Sequence, residues 1–163
     1  MTMKHLFTSL AILAGATSVQ AQTLIVGAGY ADFSFSQSLD QGLISLEYQH
    51  RPFHQGERLS AGLGGALSVH ENGDVHVGAG VYGIYSFNQR WFVEGSVMPG
   101  FFSEADEIND LGGSFQIRSL LGLGYTFDNG NRLSVAITHK SNASTNDSNP
   151  GVNAALLRYH FAF

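Results

Sequence analysis

His139 and Ser141 stand two residues apart in the stretch Arg132-Leu133-Ser134-Val135-Ala136-Ile137-Thr138-His139-Lys140-Ser141-Asn142. A serine hydroxyl cleaves an ester only if a base takes its proton and hydrogen-bond donors receive the oxyanion. Imidazole is the commonest such base, and residues i and i+2 of a strand share one face, so this pair lies within reach of each other. A third group must hold the imidazole in one tautomer. Asn153, in the segment after the next loop, has the parity of Phe163 and points to the same face. Spacing alone leaves a plainer reading open, in which both groups are polar residues at a strand end, solvated by water and headgroups.

The row that leads to this pair is apolar: Leu133, Val135 and Ile137 precede His139 on one face, against Ser134, Ala136, Thr138 and Lys140 on the other. Seven further segments alternate in the same way. The first runs from Thr23 to Phe35, and its faces are ambiguous because Leu24, Ile25 and Val26 are all apolar. The second sets Ile44, Leu46, Tyr48 and His50 against Ser45, Glu47 and Gln49, and Pro52 is expected to end it before a turn over Phe53 to Gly56. The third and fourth meet at Asn72-Gly73, the fourth and fifth at Asn88-Gln89, and the sixth and seventh at Asp128-Asn129-Gly130. An acidic loop from Ser103 to Gly113 joins the fifth to the sixth, and a polar one from Ala143 to Gly151 precedes the last strand, Val152 to Phe163.

Each segment is near the ten or so residues that a tilted strand needs to cross a bilayer. An even count, short turns alternating with longer loops, and aromatic residues at strand ends describe an all-β protein, an eight-stranded antiparallel transmembrane β-barrel of outer-membrane type. Closure pairs every backbone donor and acceptor and removes the sheet edge. A soluble lipocalin-like barrel has the same period, but the row left for its interior, rich in Gly, Ser and charge, would make a poor core. Glu94, Arg118, Lys140, Arg158 and His160 then face inward and are expected to form a buried polar network. Trp91, Tyr85, Phe87, Tyr125 and Phe127 read as an aromatic girdle. With both termini periplasmic, the turns near Pro52, Asn88 and Asn129 are periplasmic too, and His139 and Ser141 lie near the outer leaflet.

Residues 1–21 read as a signal peptide, with Lys4 and His5 ahead of an apolar stretch from Leu6 to Val19, leaving residues 22–163 as one barrel domain. Removal takes Lys4 and moves the formal charge from −5 to −6, a balance that argues against nucleic acid as a partner. The absence of Cys excludes disulfides, zinc–thiolate sites and thiol nucleophiles. His50, His54, His70 and His76 lack metal-ligand spacing on one face, so no metal is assigned. Glu104, Asp106, Glu107 and Asp110 read as a solvated loop in preference to a divalent-ion site.

His139-Lys140-Ser141-Asn142-Ala143, followed after a polar loop by Asn149-Pro150-Gly151-Val152-Asn153 and an aromatic terminal strand, resembles the lipid A 3-O-deacylase family. The resemblance extends to Phe92-Val93-Glu94-Gly95 and Phe127-Asp128-Asn129-Gly130; it is loose over most of the chain and close over its C-terminal part. It implies a carboxylic ester hydrolase in the outer membrane of a Gram-negative bacterium that removes the 3-O-linked acyl chain of lipid A. Carried over, His139 is the base and Ser141 the nucleophile, and Asn142, with the amides after it, is a candidate source of oxyanion donors. The departure is at Asn153, where the family pattern has Glu. An Asn carbonyl can accept the imidazole N–H and fix its tautomer, but it brings no charge to stabilise the imidazolium. The implied partner is the lipid A of lipopolysaccharide, the chain being membrane-embedded; no cofactor is required, and homodimerisation is left open. The competing reading is a noncatalytic barrel that stabilises the membrane or contacts partners through its loops.

Overall fold

In the computed structural model, residues 22–33 and 40–163 are described. The expected signal segment, 1–21, and the end of the first expected strand, 34–35, lie outside them. Eight strands follow one another: β1 (Thr23–Phe33), β2 (Gln41–Gln55), β3 (Leu59–His70), β4 (Val75–Ser86), β5 (Trp91–Ser103), β6 (Phe115–Thr126), β7 (Arg132–Ser141) and β8 (Val152–Ala162). Each pairs antiparallel with the next, and β8 returns to β1, closing the barrel. Just beyond the last registered pair, Gln22 and Phe163 exchange two backbone hydrogen bonds of 3.0 Å, which fixes the closure at that end of the seam.

Inside and outside follow the period of two. On β7, Leu133, Val135 and Ile137 face out, Val135 and Ile137 being 59% and 63% exposed, while Ser134, Ala136, Thr138 and Lys140 are buried. The ambiguous β1 resolves with Ile25 buried inside and Val26 outside. Pro52 does not end β2, contrary to the sequence expectation. The strand runs on to Gln55, and Pro52 pairs with Gly62 between two register shifts, where a bulge accommodates a residue with no N–H to give.

The barrel is filled in layers. Near its middle, Glu47 accepts from Arg118 at 2.6 Å and Arg158 at 2.9 Å, Arg158 also bonds Glu94, and the Ser134 hydroxyl meets His160 Nε2 at 2.9 Å. Two carboxylates against two guanidiniums leave this sealed layer without net charge, as burial demands. The expected inward network is therefore present, with Glu47 at its centre. At one end of it Phe92 and Tyr82 fill the space that inward glycines leave: a Cβ on Gly124 or Gly62 would overlap those rings. At the other end Ala31, Phe33, Leu43, Phe102, Leu111, Val152, Ala154 and Leu156 form an apolar cluster. Lys140 Nζ lies 3.0 Å from His70 Nε2, also inside.

The two ends of the barrel differ. At the end where Gln22 and Phe163 lie the connections are short, and outward-facing aromatics pack edge to face, Tyr85 on Phe87, Trp91 on Tyr125, Tyr125 on Phe127 and Tyr159 on Phe161. At the other end, longer loops are drawn together by Asp74, whose buried carboxylate accepts from Ala105 N at 2.7 Å, Asn109 Nδ2 at 3.1 Å and Gln41 Nε2 at 3.2 Å. The acidic loop between β5 and β6 carries one 3-10 turn, Glu107–Asn109, capped by the Asp106 side chain.

Candidate active site

Register decides what surrounds the imidazole. His139 pairs with Asn153 on β8 and with Ser119 on β6, and Asn153 pairs in turn with Asp32 on β1. All four residues are on the outer face, so Ser119, His139, Asn153 and Asp32 form one polar row across four strands near the loop end. Within it, His139 Nδ1 and Asn153 Oδ1 are 2.8 Å apart. A carbonyl oxygen only accepts, so Nδ1 carries the proton and Nε2 is left with the lone pair that a general base needs. The sequence expectation that Asn153 faces His139 is met at the level of geometry.

Ser141 is the last residue of β7, half-buried and on the same face as His139, with Ile117 as its partner across the ladder. Its hydroxyl makes no hydrogen bond to the imidazole or to any other described group. Ser119 is a second hydroxyl beside the same ring, and sequence parity gave no hint of it because register is invisible in a single chain. The two differ in backbone: Ser119 sits mid-ladder, whereas beyond Ser141 the ladder stops and the chain enters a loop with Ala143 and Ser144 at φ 53° and 60°. Consecutive non-glycine residues in this region are uncommon and mark a turn held by its surroundings.

Asn142 does the holding. It is fully buried, its side-chain N–H groups reach the carbonyls of Leu111, Gly112 and Ser148, and its Oδ1 accepts from Ser144 N. Its own backbone N–H goes to Asn149 Oδ1 at 2.9 Å. Both donor groups of Asn142 itself are thus spent, and it braces the loop. Among the described residues two donors next to it have no partner, the Ala143 N–H, which is the amide that follows it, and the Nδ2 of Asn149. Gly151, at φ 71°, lies against the imidazole, where an added Cβ would stand 3.2 Å from His139 Cε1 and from the Lys140 carbonyl oxygen. The ring is therefore confined between Gly151 and Asn153.

From the row, an apolar trough runs along the outside of the barrel. A cavity of about 550 Å³ is lined by His139, Asn153, Asp32, Tyr30, Leu121 and Ile137. It continues into one of about 680 Å³, which shares Tyr30, Leu121, Ile137 and Ala155 and adds Ala28, Gly29, Val135 and Leu157. Ala28, Gly29 and Ala155 are small and keep the floor low between taller neighbours, the shape that an extended hydrocarbon chain fills.

The profile of the lipid A 3-O-deacylase (PagL) family matches residues 27–162. Lipid A deacylase PagL of Bordetella bronchiseptica is 29% identical over 76 residues, 46% of this chain and 43% of that protein, so the aligned part spans less than half of the relative. The crystal structure of the outer membrane enzyme PagL superposes with a TM-score of 0.68 at 22% identity, over 85% of this chain and 98% of that one. Neisserial surface protein A superposes with a TM-score of 0.59 at 14% identity, over 89% of this chain and 98% of its own. At such identities the superpositions establish the barrel fold.

Proposed function

The chain belongs to the lipid A 3-O-deacylase family of outer-membrane barrels, and from that membership we propose that it is a serine esterase that removes the 3-O-linked acyl chain of lipid A. The observation that carries the reading is the 2.8 Å contact between His139 Nδ1 and Asn153 Oδ1 at the head of a trough open to lipid. The loop end faces the outside of the cell in this reading. Lipid A then reaches the site from the membrane plane, and its acyl chains never leave hydrocarbon.

Ser141 Oγ attacks the ester carbonyl as its proton passes to Nε2 of His139, and the bond from that carbonyl carbon to the sugar oxygen breaks, the sugar oxygen taking the proton. Water, deprotonated by the same imidazole, then attacks the acyl carbon, the bond from that carbon to Ser141 Oγ breaks, and Oγ takes the proton back from the ring as the fatty acid leaves. The Ala143 N–H and Asn149 Nδ2 are the donors available to the oxyanion, which is why Ser141 is preferred to Ser119, whose neighbours on both sides belong to sheet ladders. The approach of Ser141 to Nε2 belongs to the substrate-bound state, as catalytic hydrogen bonds often tighten only there.

Mass spectrometry of lipid A from cells expressing the wild type, Ser141→Ala and Ser119→Ala tests the reading. Loss of one acyl chain with the wild type and Ser119→Ala, but not with Ser141→Ala, is expected. Identical spectra from all three would instead favour a noncatalytic scaffold, the reading that a neutral residue at 153 leaves standing.

A further inference from the structure

Asn153 orients the imidazole but brings no charge, and the nearest carboxylate on the same face is one strand further on. Asp32 is the register partner of Asn153 across the seam between the first and last strands. Its side chain is exposed on the outer face and lines the same trough as His139 and Asn153. No Lys or Arg lines that trough, and among the described residues Asp32 makes no ion pair. A bare carboxylate on a surface that otherwise presents Tyr30, Leu121 and Ile137 to lipid is costly to keep there.

We infer that Asp32 supplies the negative charge that Asn153 lacks, acting through the Asn153 amide on the His139 imidazolium. This rests on the esterase reading above. The amide is suited to the part because its two ends have opposite character. Oδ1 already holds His139 Nδ1, so the Nδ2 N–H groups, unpaired among the described residues, are free for an acceptor on the β1 side. Directly opposed residues on one face have Cβ atoms roughly 5 Å apart, so a rotation of the Asp32 side chain closes an N–H to carboxylate bond. When the imidazole takes the serine proton, carboxylate, amide and ring then line up as minus, dipole, plus. Hydrogen bonds in series polarise one another, and charges interact strongly where hydrocarbon displaces water. The proton stays on the imidazole until the leaving sugar oxygen takes it; Asp32 gains none. Asp32 is a positioning residue here, touching neither substrate nor serine.

The test is a double-mutant cycle in purified, detergent-folded protein, with kcat and KM for lipid A deacylation measured for the wild type, Asp32→Asn, Asn153→Glu and the double variant. Folding is checked by heat-dependent gel migration. Asp32→Asn is expected to lower kcat tenfold or more with KM changed less than twofold, and Asp32→Glu to retain most of the rate. In the Asn153→Glu background, where the orienting group carries its own charge, Asp32→Asn is expected to cost less than twofold. Equal losses in both backgrounds, a loss confined to KM, or no loss at all would each overturn the inference, the second by making Asp32 a headgroup contact. An inactive wild type beside an active Asn153→Glu also overturns it, while leaving the esterase site intact. If neither turns over, the functional reading itself fails, and the inference with it.

Discussion

The imidazole of His139 is held from two sides, by a hydrogen bond to Asn153 and by the bare backbone of Gly151. Ala at 151 would force an L side chain into the left-handed region, at roughly 1–2 kcal/mol, and set a methyl 3.2 Å from the ring. Gly151→Ala is therefore expected to fold, to lose a modest amount of stability, and to lower kcat at least tenfold by turning the ring off Asn153, as single-turnover deacylation would report. The facing of His139, Ser141 and Asn153 was legible in the sequence because a strand's side chains alternate without exception where no bulge intervenes. Ser119, Asp32 and Gly151 were not legible as site residues. Ser119 and Gly151 come beside the imidazole, and Asp32 beside Asn153, through strand register and backbone approach, neither of which leaves a mark on local composition. Asn142 misled in the opposite way: its place after Ser141 suggested chemistry, while its buried amide is committed to Leu111, Gly112 and Ser148.

At the scale of elements, β1, β6, β7 and β8 together make the trough, and its depth depends on small residues at matched positions. Ala28 on β1 opposes Leu157 on β8, and Ala155 opposes both Tyr30 and Ile137. Ala155→Phe would raise the floor between those neighbours. The expected result is an intact barrel that deacylates a short-chain ester normally and lipid A at least tenfold less efficiently, mainly through KM; comparison of the two substrates checks this. The strands themselves were readable from alternation, including, for all but β1, which row faces out. The continuation of β2 past Pro52 was not, because a proline stops a regular ladder but fits a bulge, and whether a bulge forms depends on the partner strand.

Across the whole molecule the interior holds a balanced ionic layer, with apolar side chains on either side of it and the Lys140–His70 pair among those toward the loops, and Glu47 is its hub, reaching both Arg118 and Arg158. Removing that carboxylate strips Arg118 of its acid and leaves Arg158 with Glu94 alone, at a cost of about 3–5 kcal/mol for breaking a buried pair. Glu47→Ala is expected to shift the urea midpoint down by a corresponding amount, followed through the fluorescence of Trp91, the single tryptophan of the chain. Inward parity announced the charged members of this layer; the pairing among them needed the barrel's cross-section, since Glu47 meets Arg158 across 111 residues of chain. The trough has a similar long-distance origin. Part of its wall, with Asp32, comes from the first strand, and His139 and Asn153 come from the last two. A chain whose first and last strands have not yet met has no such trough, so the groove and the polar row at its head come into being together, and only when the circle closes.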